Sequence, residues 1–320
     1  MTVDVHGHLT SPELLAKYPM PPVLGDLPRM LDAKRAAGIT ITVVGSPVGA
    51  GTMIPRPGVD NFDQPASDLE RYHDWLADQV REHPDELRAY AFVNPFGSDR
   101  DLALLAARLE QPEFVGVIVN SSVNGRLLGD PDLNGFWAFL AERGLPVLVH
   151  PPAEPVGTAA VPDLGLLESV ARPHDVALSL ASLVLAGVLD RHPGLVIIAA
   201  GTGSGLAGLA FKLDAAAANP RPNPLFRGRA PDRPQVRPSA ELRRLHVDTG
   251  NSDPVAVGAA LAFFGPDRVC FGSDSPPMAE PLGRVVDRVG AAAGSARHAV
   301  LEANADRILG LRAPVWEVAL

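Results

Sequence analysis

Two imidazoles stand two residues apart near the amino end of the chain, in Asp4-Val5-His6-Gly7-His8. On a β-strand, side chains at i and i+2 leave from the same face, so both rings could reach one cation. Taken alone the pair is weak, because most histidines at that spacing are ordinary polar residues. A second segment, Leu145-Pro146-Val147-Leu148-Val149-His150-Pro151, is an apolar run that ends on a histidine. A third, Val269-Cys270-Phe271-Gly272-Ser273-Asp274, ends a similar run on a carboxylate. Singly, His150 reads equally well as a hydrogen-bonded capping residue, and Asp274 as the N-cap of a helix. Together, three neutral nitrogens and one carboxylate, each at a strand end, compose a zinc-type donor set with a position left for water or substrate.

Such a set works only if the fold brings three distant strand ends to one place. Eight short β-type runs recur along the chain, most of them followed by a helical pattern, which predicts repeated βα units and a parallel sheet. They are Thr2 to Val5, Ile39 to Gly45, Arg88 to Val93, Val115 to Val119, Pro146 to Val149, Val196 to Ala199, Leu242 to Val247 and Arg268 to Phe271. Several are nearly pure Val, Ile, Leu or Ala, as in strands covered on both faces. Helices are expected over Asp68 to Glu82, Asp99 to Glu110, Leu133 to Arg143 and Leu178 to Arg191. Eight strands alternating with helices predict a closed α/β (β/α)8 TIM barrel, in which catalytic groups collect at the C-terminal strand ends. An open doubly wound sheet is the alternative, but no glycine-rich phosphate turn follows the first strand. The expectation is one domain over residues 1–320, with long loops at 46–64, overhanging that face, and at 219–238, rich in proline.

Composition narrows the partners. The formal charge of −9 offers no basic stripe for phosphates, which argues against a nucleic-acid partner. The apolar stretches are too short or too glycine-rich to span a bilayer, and no secretory leader is read at the amino end. The single cysteine, Cys270, excludes an internal disulfide and suits a reducing, cytoplasmic compartment, where it reads as buried packing.

The order and spacing of these motifs resemble the amidohydrolase-related metalloenzymes that include the aminocarboxymuconate-semialdehyde decarboxylase group. The resemblance spans nearly the whole chain. It rests on His6-Gly7-His8, His83-Pro84-Asp85, Phe92-Val93-Asn94-Pro95, Asn124-Gly125, Asp130-Pro131, His150-Pro151, His192-Pro193, Val247-Asp248-Thr249, Phe271-Gly272-Ser273-Asp274 and the closing Asn304 to Leu311. It implies a metal-dependent barrel with His6, His8, His150 and Asp274 as ligands of a divalent ion, zinc or alternatively manganese, with Asp274 also moving a proton. It further implies a carbon–carbon lyase of decarboxylase type acting on a small carboxylated, aromatic or unsaturated acid, in a chain that could pair as a homodimer. Hydrolysis of a lactone or amide by the same metal is the rival chemistry.

One motif departs from the family. Its members carry a histidine at the end of the sixth strand, where this chain has Gly201 within Ala200-Gly201-Thr202-Gly203-Ser204-Gly205. A general acid or base contributes about 10²–10⁴-fold to rate, so a non-standard tailoring enzyme or a binding protein is a further alternative. His246, sharing a strand face with Asp248, is the nearest substitute in sequence. For the substrate, Arg56 and Arg126 are the loop cations most able to grip a carboxylate with two donors, although a solvated loop arginine is the more ordinary reading of each. Asn120 and Thr202 are the polar groups expected at the mouths of the fourth and sixth strands. The other histidines, including His73, read as surface or capping residues.

Overall fold

The computed structural model describes residues 1–157, 163–218, 237–278 and 280–311. Eight parallel strands follow one another around the sheet in chain order: β1 (Thr2–His8), β2 (Ile39–Gly45), β3 (Leu87–Phe92), β4 (Phe114–Asn120), β5 (Pro146–His150), β6 (Val196–Ala199), β7 (His246–Asp248) and β8 (Val269–Cys270). Between β8 and β1 the barrel closes through two backbone bonds, Val5 N–H to Phe271 O (3.0 Å) and Asp274 N–H to His6 O (2.8 Å). The chain is therefore a (β/α)8 barrel, as the strand pattern predicts.

Strand alternation sorts the apolar residues into two buried groups. Tyr90, Ile118, Leu148 and Ile198 pack with one another. Their chain neighbours Ala89, Ala91, Val117, Val119, Val147, Val149, Ile197 and Ala199 instead join the helix residues Leu76, Trp137 and Leu180. Covering both faces is what makes these strands read as continuous apolar runs. His150 lies two residues beyond Leu148, so β5 directs it into the barrel's mouth.

Several elements differ in their bounds from the sequence reading. The run Leu242 to Val247 divides: Pro238 opens a helix, Pro238–Leu242, and the strand begins only at His246. Proline with its fixed φ suits the first helical position, and a buried leucine satisfies either structure. The helix expected over Leu178 to Arg191 is two, Arg172–Leu185 and Val188–Arg191, interrupted at Gly187. The first strand is also longer than read, because pairing with β2 continues to His8 opposite Gly45. After β2 no helix or strand forms until Ala66, in keeping with a long loop. Of the second expected loop, residues 219–236 lie outside the described residues, and Pro238 belongs to the helix. Cys270 is fully buried, with its thiol pushed up to about 12 by that burial. No described helix is long and apolar enough to cross a membrane.

Candidate metal centre

The ends of β1, β5 and the segment after β8 meet at one point. One ligand atom from each of His6, His8, His150 and Asp274 lies within 4.8 Å of the others. The three imidazoles form a corner: ring centroids are 5.0 to 5.1 Å apart and ring planes meet at 83 to 90°. All three rings are buried, and Asp274 is partly open at the mouth.

In each ring the outer nitrogen is held by the protein. His6 Nδ1 faces Asp248 Oδ2 at 2.9 Å, His8 Nδ1 faces the Gly45 carbonyl at 3.1 Å, and His150 Nδ1 faces the Pro151 carbonyl at 2.8 Å. A carbonyl can only accept, so Nδ1 of His8 and of His150 carries a proton, and Nε2 of each is the nitrogen turned toward the centre. Asp274 Oδ1 sits 2.8 Å from His8 Nε2 and 3.3 Å from His6 Nε2, and the latter has no hydrogen-bond partner despite complete burial. An orphaned buried nitrogen beside a carboxylate is what a divalent cation would satisfy, so the donor set fits one.

Charge points the same way. Burial alone would lower His6, but Asp248 and Asp274 outweigh it and hold the imidazole up at about 9. His150 is pushed well below the ordinary value by burial, and further by its His8 and His6 neighbours. Burial opposes ionisation of Asp274, yet the three histidines hold it well below the usual carboxylate range. Two carboxylates thus converge on rings of which His150 is neutral, a balance suited to a dication.

Behind these four side chains lies a polar clamp. Asp4 Oδ1 accepts from the backbone N–H of His6 (3.0 Å) and of Ser273 (2.9 Å), and Oδ2 accepts from Ser273 Oγ (2.6 Å) and Lys34 Nζ. Lys34 Nζ also donates to Ser273 Oγ at 2.8 Å, with the whole cluster buried. It pins the residue before Asp274 to the strand that carries His6 and His8. Gly272 is needed here, since a Cβ would come within 2.9 Å of both the His6 and Asp248 Cβ atoms.

The mouth of β6 is built differently. Gly201 has φ +61°, and its N–H donates to Asp248 Oδ1 at 3.1 Å, the atom that also accepts from Gly250 N–H at 2.7 Å. Thr202 and Ser204 are likewise left-handed, with their hydroxyls turned back onto the Gly201 and Ala200 carbonyls. A Cβ at Gly201 would meet nothing closer than Gly250 O at 3.6 Å. His246 does not stand in for the family histidine: it accepts from Arg268 at 3.1 Å, and burial together with that cation drives it down to about 3.

Among the residues expected to contact substrate, Arg56 is exposed on the loop after β2. Asn120 pairs with His150 in register, but its amide nitrogen donates to Pro47 O at 2.7 Å, bracing that loop. Arg126 departs from the expectation of a substrate clamp. Its donors are taken by Asp130 and Asp132, and its guanidinium lies 4.0 Å from the Phe96 ring centre. Asp248, Lys34 and Asn251, which donates to Asp274 Oδ2, went unrecognised as site residues. Asp248 carried a signal, standing two residues beyond a strand histidine. Lys34 and Asn251 carried none.

Comparison with known proteins agrees with this architecture. The family model described as Amidohydrolase matches residues 3–311. The 2-amino-3-carboxymuconate-6-semialdehyde decarboxylase of Dictyostelium discoideum is 26% identical over 257 residues, 78% of this chain and 68% of that protein. The 6-methylsalicylic acid decarboxylase of Penicillium expansum is 25% identical over 292 residues, 86% of this chain and 84% of that protein. A dihydroxybenzoic acid decarboxylase from Polaromonas, solved with manganese and 2-nitroresorcinol, superposes with a TM-score of 0.80 at 19% identity, covering 99% of both chains.

Proposed function

The chain belongs to the amidohydrolase family, and from that membership and its barrel mouth we propose a metal-dependent decarboxylase that releases carbon dioxide from a small aromatic or unsaturated carboxylic acid. The observation that carries the reading is the convergence of three anchored imidazoles and Asp274 within 4.8 Å. The two decarboxylases similar in sequence support the choice of reaction. A divalent ion held there supplies a Lewis acid that fixes and polarises the acid's oxygens. Zinc suits the donor set, and the manganese of the Polaromonas enzyme supports the alternative.

His6, His8 and His150 would hold the ion through Nε2, each ring locked by its Nδ1 partner. Asp274, ionised at rest, takes up a proton from solvent water and hands it to the carbon bearing the carboxylate. The carbon–carbon bond then breaks, its electron pair stays with that carbon, and carbon dioxide leaves. Arg56 is the cation we assign to the substrate's charge, since Arg126 is engaged elsewhere, and Thr202 is the hydroxyl at the β6 side.

Elemental analysis paired with gas release tests this. Stoichiometric zinc or manganese is expected, absent from a His6→Ala/His150→Ala double variant. Dihydroxybenzoates and methylsalicylate should release carbon dioxide in a reaction abolished by chelation and restored by the metal. Ring opening of a lactone without carbon loss would replace the reading by hydrolysis. A protein that binds no metal would end both.

A further inference from the structure

The turn that follows β7 carries a side chain whose placement the backbone alone does not require. Thr249 to Ser252 form a tight turn closed by Ser252 N–H on Thr249 O at 3.1 Å, and its third residue, Asn251, has φ +55°. Positive φ at that place in a turn calls for glycine or asparagine. For the backbone, either residue would serve. The turn is also anchored without help from the Asn251 side chain: Gly250 N–H donates to Asp248 Oδ1 at 2.7 Å, while Thr249 Oγ1 donates to Gly272 O at 3.2 Å and accepts Gly272 N–H at 3.1 Å.

Asn251 is exposed, so burial does not direct its side chain. Its amide nitrogen nevertheless donates to Asp274 Oδ2. Only that end of the amide can face a carboxylate, whose oxygens accept. Asp274 is left-handed as well, at φ +52°, and its other oxygen, Oδ1, lies 2.8 Å from His8 Nε2 and 3.3 Å from His6 Nε2. The last torsion of an aspartate is broad in its preference, so a carboxylate left alone turns easily. With Oδ2 held by Asn251 that torsion is fixed, and Oδ1 is the oxygen presented to the imidazoles. Two residues in a sparsely populated backbone region thus share one hydrogen bond, and strain of this kind collects at functional sites.

We propose that Asn251 is a positioning residue of the metal centre: the site uses its amide, and not only its tolerance of positive φ, to hold Asp274 with one oxygen turned toward the three histidines. The inference rests on the metal-binding part of the proposed function. It does not depend on which reaction follows.

Asn251→Gly separates the two roles, because glycine keeps the turn and removes only the amide. Zinc or manganese affinity, measured by competition with a chelator, is expected to fall about 10–100-fold, while thermal unfolding of the metal-stripped variant stays close to native. Asn251→Ser is the second variant if glycine does not fold, since Ser204 already stands at φ +53° in this chain. Native metal affinity in a folded variant would assign Asn251 to the turn alone and overturn the proposal. A loss of affinity accompanied by a matching loss of stability would overturn it too, by tracing the effect to a loosened turn. A native protein that takes up no metal ends the proposed function and this inference together, whereas a failed carbon dioxide assay touches only the former.

Discussion

The β1–β8 seam and the β6 mouth lie at the same end of the barrel but are built on opposite plans. At the seam, side chains from distant segments converge: Asp4, Lys34 and Ser273 clamp the strands that present His6, His8 and Asp274. At β6 the chain offers mainly backbone, with Gly201 donating its N–H to Asp248 and two hydroxyls folded back onto nearby carbonyls. The first plan stores its energy in long-range polar contacts and the second in local geometry. Substitutions in the two regions should therefore fail in different ways.

The sharpest contrast is expected from Lys34→Ala. Removing one partner of a buried ion pair leaves Asp4 uncompensated and should destabilise the protein by about 3–5 kcal/mol, read by denaturant unfolding. A loss within the range of an exposed salt bridge would show that the clamp is not rigid. Next, Asp248→Asn keeps the shape of the group that orients His6 but removes its charge, and should weaken metal affinity by about 10–100-fold in competition with a chelator. No change would detach Asp248 from the centre.

The same strand sharpens the comparison through pH. His246 is held down to about 3, against about 6.5 unfolded. Above 6.5 it is neutral in both states. As the pH falls below that value the unfolded chain alone takes up the proton, so stability is lost until about pH 3. Between pH 7 and 5 the loss should be about 2 kcal/mol, and His246→Gln should remove it from unfolding curves recorded at the two values. The smallest effect belongs to β6: Gly201→Ala meets no clash but must adopt φ +61°, costing about 1–2 kcal/mol. Metal affinity should stay unchanged, and a drop there would mean that the Gly201–Asp248 bond reaches the ligands after all.

The barrel was legible because its strands are apolar runs of the right length, and β2 and β6 have the bounds the sequence implies. β7 was not, because Leu242 and Leu245 are buried in either structure, so apolar content alone cannot mark where a helix yields to a strand. His6, His8, His150 and Asp274 could be grouped because each ends a recognisable run. What orients them could not: the Asp248–His6 contact joins residues 242 apart, and the Ser273–Asp4 contact residues 269 apart. Arg126 has its partners close by in the chain. A loop arginine four residues before one aspartate and six before another is already paired locally, and that pattern was in view.

The closure of the barrel also sets a clock. His8 and Asp274 are 266 residues apart, and ribosomes add about 5–20 residues per second. For some tens of seconds the amino-terminal histidines exist without the carboxylate that completes their corner. Through that interval β1 has one edge to pair with β2 and another with nothing to pair against. The emerging chain carries the two histidines of β1 first and His150 next, and only the segment after the last strand brings Asp274 to them.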